Sequence, residues 1–168
     1  MRTAISIICF LIILSAAILG PAHACTNLIV TKGASADGSV MITYTCDGEF
    51  HPHLRYYPAA DHGPDEYVEI KDWSGEVKGR VRQAPHTYAV MYLMNEHQVV
   101  IGETTFTGRE ELKNPEGLLH YWWLMRLALE RAKTAREAVE VIAGLVEEYG
   151  YASEGESISI GDPDEAWL

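Results

Sequence analysis

Hydrophobic positions change their spacing several times along the chain, and each change predicts a different element. Residues 5–19 are apolar almost without a break, interrupted mainly by Ser6 and Ser15. Residues 26–31 and 40–45 are short β-branched and apolar runs on either side of the turn-rich segment 32–39, a pattern that predicts a hairpin. Periodicity is then lost across 47–87, where Pro52, Pro58, Pro64 and Pro85 act as breakers around two weaker strand candidates, 54–57 and 67–71. It returns at 88–94 and 99–104, which flank the polar turn Asn95-Glu96-His97-Gln98 and predict a second hairpin. Helical spacing of Leu118, Trp122, Met125 and Leu129 predicts a helix over 116–131, and the row Tyr121-Trp122-Trp123 means that it is buried on more than one side. Thr134-Ala135-Arg136-Glu137 reads as a capping box that opens a second helix running to Tyr149 and stopping at Gly150. Residues 157–160 form a strand candidate, 161–164 a turn, and Ala166 starts a new apolar stretch. No later residues are available to pair with that stretch, so the chain is expected to be the front portion of a longer protein.

The apolar run near the start is preceded by Arg2 and followed by Ala22 and Ala24, small residues three and one positions before Cys25. That is the layout of a secretory signal peptide over 1–24, to be removed by signal peptidase. Cleavage would make Cys25 the first residue and give it a free α-amine beside its thiol. An α-amine titrates at about 7.7 to 8.0 and a thiol at about 8.5, so one residue could supply both a nucleophile and its base. Two other fates fit the same junction. Cys25 could be lipidated, although Ala22 in place of the usual Leu suits ordinary signal peptidase better, or it could be a structural cysteine bonded to Cys46.

Charge and composition narrow the partners. The formal charge of -11 becomes -12 once Arg2 leaves with the leader, so neither nucleic acid nor an anionic membrane surface is an expected partner. With no second long apolar stretch, no stable membrane insertion is expected after cleavage, and the mature protein is expected to be secreted or periplasmic. Of the 3 cysteines, Cys9 lies in the leader, which leaves neither a disulfide scaffold nor a four-ligand zinc pattern. His51 and His53 are read as loop or groove residues, Glu96 and His97 as parts of a polar turn, and Glu137, Glu140, Glu147 and Glu148 as a solvated helix face. No metal or cofactor is expected.

Taken in order, several short motifs carry a resemblance: Cys25-Thr26 after the leader, Asp47-Gly48, His51-Pro52-His53-Leu54-Arg55-Tyr56, Met94-Asn95-Glu96-His97 with Ile101-Gly102-Glu103-Thr104, and 129–138. Together they resemble the cysteine dipeptidases of the N-terminal-nucleophile hydrolase superfamily, with secernins and bile-salt hydrolases as more distant relatives. The resemblance implies an α+β fold, an αββα sandwich incomplete at its C-terminal side, with 25–168 as the first part of the catalytic domain. It also implies hydrolysis of dipeptides or other small amides, with Cys25 as nucleophile, Asp47 holding its amine and Asn95 supplying an oxyanion-hole donor. Read without the resemblance, Asp47-Gly48 is an ordinary turn pair and Asn95 an ordinary turn former. One departure stands out: Tyr44 and Thr45 occupy the stretch where relatives have Arg and Asn. The alternative to an enzyme is a non-catalytic secreted or lipid-anchored binding domain on the same fold. A homo-oligomer is compatible with either.

Overall fold

The computed structural model describes residues 25–46 and 54–168. The expected signal peptide, Asp47, His51 and His53 lie outside the described residues.

The first expected hairpin forms with β1 (Thr26–Val30) antiparallel to β2 (Met41–Thr45), Thr26 opposite Thr45 and Val30 opposite Met41. Alternation gives it two faces. Asn27, Ile29, Ile42 and Tyr44 are half-buried, whereas Leu28 and Met41 are exposed. The inner face lies on a six-stranded antiparallel sheet of order β12-β11-β10-β9-β8-β3, built from β3 (Tyr56–Tyr57), β8 (Val90–Met91), β9 (Met94–Asn95), β10 (Val100–Phe106), β11 (Gly155–Gly161) and β12 (Ala166–Trp167). Contact between hairpin and sheet depends on missing side chains. A Cβ on Gly102 would lie 3.2 Å from Tyr44 Cβ, and one on Gly161 3.0 Å from Val40 Cγ1. Asn27 Nδ2 donates to Ser159 Oγ across the same gap at 3.0 Å.

Helices α1 (Tyr121–Leu129) and α2 (Ala135–Tyr149) cover the opposite face of the sheet. Ile101 and Ile160, paired across β10 and β11, pack there with Met125, Ala128, Leu129 and Ala138. The far side of α1 meets the hairpin of β5 (Tyr67–Lys71) and β6 (Val77–Arg82), where Ile70 and Val81 join Leu124, Leu127 and Leu145 in a second cluster. Burial on two sides explains the apolar residues all round α1, as the sequence suggested. Two short strands, β4 (Ala60–Asp61) and β7 (His86–Thr87), pair with each other beside this core. The architecture is α+β.

Four expectations need correction. Residues 88–94 are not one strand: Tyr92 takes a positive φ of 57° and splits them into β8 and β9, so β9 meets β10 only at Met94 and Val100. The main partner of β10 is β11, with seven residue pairs. Helix α1 begins at Tyr121, not at residue 116, because 117–119 lie along 149–152 instead: Leu118 and Leu119 donate to Tyr149 O and Gly150 O, and Ala152 donates to Leu119 O. Strand β6 sits in the segment read as loop, since only Val81 of its six residues is fully buried and the alternation is faint. Finally, the apolar end of the chain does have a partner, for β12 turns back onto β11 with Trp167 opposite Ile160.

Candidate active site

Cys25 is the residue before β1 and Cys46 the residue after β2, so the hairpin brings both to its open end. Both are half-buried and no disulfide joins them. The inner face of the same hairpin carries Tyr44, which reaches a polar cluster that the hydrophobic pattern did not reveal. Glu103, on β10, is fully buried, and its Oε1 accepts a hydrogen bond from the Tyr44 hydroxyl of β2. Thr105 Oγ1 lies 3.4 Å from Glu103 Oε2 and 3.2 Å from Glu156 Oε2, and the Tyr151 hydroxyl lies 3.2 Å from the same Glu156 oxygen. Register explains the grouping: Thr105 is directly opposite Glu156, and Glu103 is two residues along on the same face.

Two carboxyl groups this close cannot both ionise cheaply in a buried setting. Burial first, and then the adjacent Glu103 carboxylate, pushes Glu156 up from 4.5 to about 9. Glu156 Oε1 is buried without a conventional donor, and the proton it keeps at neutral pH bridges to Glu103. Tyr44 is held in its neutral form by burial and by its bond to Glu103. Tyr121, at the head of α1, is likewise held neutral, by burial first and then by the Glu103 carboxylate. The cluster thus keeps one proton at neutral pH. A single charged residue inside the apolar run 99–104 was the signal available in sequence, since Glu is almost never fully buried without a paired role.

Glu156 and Tyr151 also line a cavity of about 430 Å³ walled by Phe106, Leu124, Ile142 and Val146. Neither thiol lines it. No group of three His, Cys, Asp or Glu side chains arranged to hold a metal ion occurs among the described residues.

Asn95 is not placed as an oxyanion donor. It is 5% exposed, and its Nδ2 donates to Leu129 O at 2.8 Å and to Ala132 O at 2.7 Å. Its Oδ1 accepts from His97 N and Val99 N, each at 3.0 Å. Both amide hydrogens and both lone pairs are therefore engaged in tying the β9 turn to the end of α1. Neighbouring Glu96 is also employed structurally, its Oε1 accepting from Ala89 N at 2.7 Å. His97 packs edge-on against Tyr88.

The family model described as Peptidase family C69 matches residues 24–73 and 62–168, and the chain belongs to that family. A probable dipeptidase of Latilactobacillus sakei is 28% identical over 162 residues, an alignment that covers 86% of this chain and 34% of the relative. The chain spans about a third of the length of that curated relative.

Proposed function

We propose that the protein is an exported cysteine-type dipeptidase whose nucleophile is Cys25, exposed as the first residue when 1–24 are removed. The observation that carries this reading is the position of Cys25. It is the residue immediately before β1, half-buried, directly after the expected leader, in a chain of a peptidase family. The reading extends the observed layers, two helices on one sheet with a hairpin on its other face, to an αββα sandwich in which β1 and β2 belong to the second sheet.

In this mechanism the α-amine of Cys25 takes the thiol proton and Sγ attacks the carbonyl carbon of the scissile amide. Collapse of the tetrahedral intermediate breaks the C–N bond, the proton passes to the leaving amine, and a thioester remains on Sγ. Water, deprotonated by the same α-amine, then hydrolyses the thioester and restores the thiol. Asp47 holds the amine. The oxyanion donor is a group other than Asn95, whose hydrogens are engaged elsewhere.

The test begins with the mass of the N-terminal peptide of the secreted protein, which should start at an unmodified Cys25. Hydrolysis of a dipeptide panel should follow, with Cys25→Ser losing at least 10²-fold in kcat, on the order of what removing one group of a catalytic set costs. A variant that keeps one extra residue before Cys25 should be equally impaired. Full turnover by the extended variant rules out the amine as base, and an acylated Cys25 rules out the enzyme.

A further inference from the structure

We propose that Cys46 is a modification partner of Cys25: the two thiols close a reversible cross-strand disulfide that caps the nucleophile. The bond is argued from the hairpin alone, and its effect on catalysis rests on the reading of Cys25 as the attacking group.

The register of β1 and β2 sets Thr26 against Thr45, and one further step sets Cys25 against Cys46. The kind of pair matters as much as the register. Thr26 turns both of its main-chain groups toward the partner strand, its N–H donating to Thr45 Oγ1 at 3.2 Å and its carbonyl accepting from the same hydroxyl at 3.1 Å. A residue oriented in that way belongs to a pair of the hydrogen-bonded kind, and the two kinds alternate along an antiparallel ladder. Cys25 and Cys46 are then a non-hydrogen-bonded pair, for which Cα atoms stand about 4.5 Å apart with side chains on the same face. That separation falls inside the range of about 4.4 to 6.8 Å that a disulfide spans without backbone movement. By strand alternation Cys25 continues the face of Asn27 and Cys46 that of Tyr44, the inner face of the hairpin. Their half-buried state leaves an approach for a small oxidant.

A small-molecule disulfide such as oxidised glutathione supplies the oxidising equivalents. The Cys25 thiolate attacks one of its sulfurs, breaking the S–S bond, expelling one glutathione thiolate and forming a mixed disulfide. The Cys46 thiolate then attacks Cys25 Sγ, expelling the second glutathione. Two protein thiols are oxidised by two electrons, glutathione disulfide is reduced to two thiols, and the two protons end on those thiols. Sγ of Cys25 no longer carries a nucleophilic lone pair until a reductant reverses both steps. An oxidising compartment would hold the protein in this capped form, and reducing surroundings would release it.

The experiment equilibrates the full-length secreted protein with mixtures of reduced and oxidised glutathione, quenches with acid and measures intact mass and digested peptides. Expected are a loss of about 2 Da as two thiols become one disulfide, a cross-linked pair of peptides containing Cys25 and Cys46, and recovery of both thiols with dithiothreitol. Dipeptide turnover should fall and recover in parallel. Cys46→Ser should show no bridge and should accumulate the glutathione adduct on Cys25 instead. Adducts or intermolecular dimers without a Cys25–Cys46 bridge at every ratio overturn the proposal. The two readings fail separately: a bridge in a protein that cleaves no dipeptide even when reduced removes the nucleophile and leaves the disulfide. Loss of activity in Cys25→Ser without any bridge in the parent protein does the reverse.

Discussion

Asn95 and Glu156 show how one side chain's surroundings decide its work. Asn95 offers two donors and two acceptor sites, and all are taken by backbone groups from residues 97, 99, 129 and 132. Replacing it with Ala leaves buried carbonyls and amides without partners, each costing about 1 to 3 kcal/mol. Asn95→Ala should therefore lower unfolding stability by about 3 kcal/mol in a denaturant titration. Asn95→Asp should do at least as much harm, since its carboxylate would face the Leu129 and Ala132 carbonyls. A catalytic role would instead appear as lost kcat at unchanged stability. For Glu156 the sign of the pH dependence follows from its environment. Burial and Glu103 raise its folded value from 4.5 to about 9, so between those limits the folded protein holds a proton that the unfolded chain has released. Stability should fall as pH rises through that window, with the contribution fully present only below about 4.5. Glu156→Gln keeps the shape and removes the titration, so its denaturation midpoints between pH 5 and 9 should be flatter than those of the parent, within the range set by this group. A parent and a variant with identical pH profiles would exclude the shared proton.

At the level of elements, the start of α2 shows a local signal completed by a distant one. Thr134 Oγ1 accepts from Glu137 N at 3.1 Å, as a capping residue should. Glu137 reaches past Thr134 to Lys133 N at 2.7 Å, so the reciprocal half of the box is shifted by one residue. The Ala135 amide is served by Asp162 Oδ2 at 2.7 Å, from the turn between β11 and β12. Burial works to raise the Asp162 carboxyl, but bonds from the amides of Ala135, Asp164 and Glu165 outweigh it and hold the group below its ordinary range. A hydrogen bond to a charged group contributes about 1.5 to 3 kcal/mol, against about 1 kcal/mol for an ordinary cap. Asp162→Ala should thus destabilise more than Thr134→Ala by thermal unfolding. Equal losses would mean that the β11–β12 turn does not hold α2.

For the whole molecule, the decisive contact is the one between the β1–β2 hairpin and the sheet, since it brings Tyr44 to Glu103 and fixes the hairpin end that carries Cys25. Gly102 and Gly161 permit it by having no side chain where Tyr44, Ile42 and Val40 pass. Gly102→Val must push Tyr44, Asn27 and Ile42 aside, all within 3.5 Å of a Cβ at that position, and overpacking of this kind costs about 1 to 3 kcal/mol. The variant should melt lower and react at Cys25 with a thiol reagent at an altered rate. Gly144→Ala serves as the control: a Cβ there meets nothing within 4 Å, and replacing a helical Gly with Ala should raise stability by about 0.5 to 1 kcal/mol. If Gly102→Val leaves both melting and thiol reactivity unchanged, the hairpin is not positioned by this contact.

Local pattern carried the first hairpin, α2 with its Thr134 cap, β5, the two-sided burial of α1 and the strand around 157–160, because each is specified by residues within a few positions of one another. The expected strand at 88–94 and the start of α1 failed where distant backbone intervened, at the turn of Tyr92 and along 149–152, and no window of sequence contains that competition. The placement of Cys25 immediately before β1 was legible from the apolar run that follows it. The carboxyl pair was not legible, since Glu103 and Glu156 are far apart in sequence and meet only because β10 and β11 are paired in one particular register. The bonds of Asn95 to the Leu129 and Ala132 carbonyls were not legible for the same reason. A motif supplies the residue, but whether its amide faces a substrate or the end of a helix depends on which distant carbonyls the fold brings within hydrogen-bonding reach.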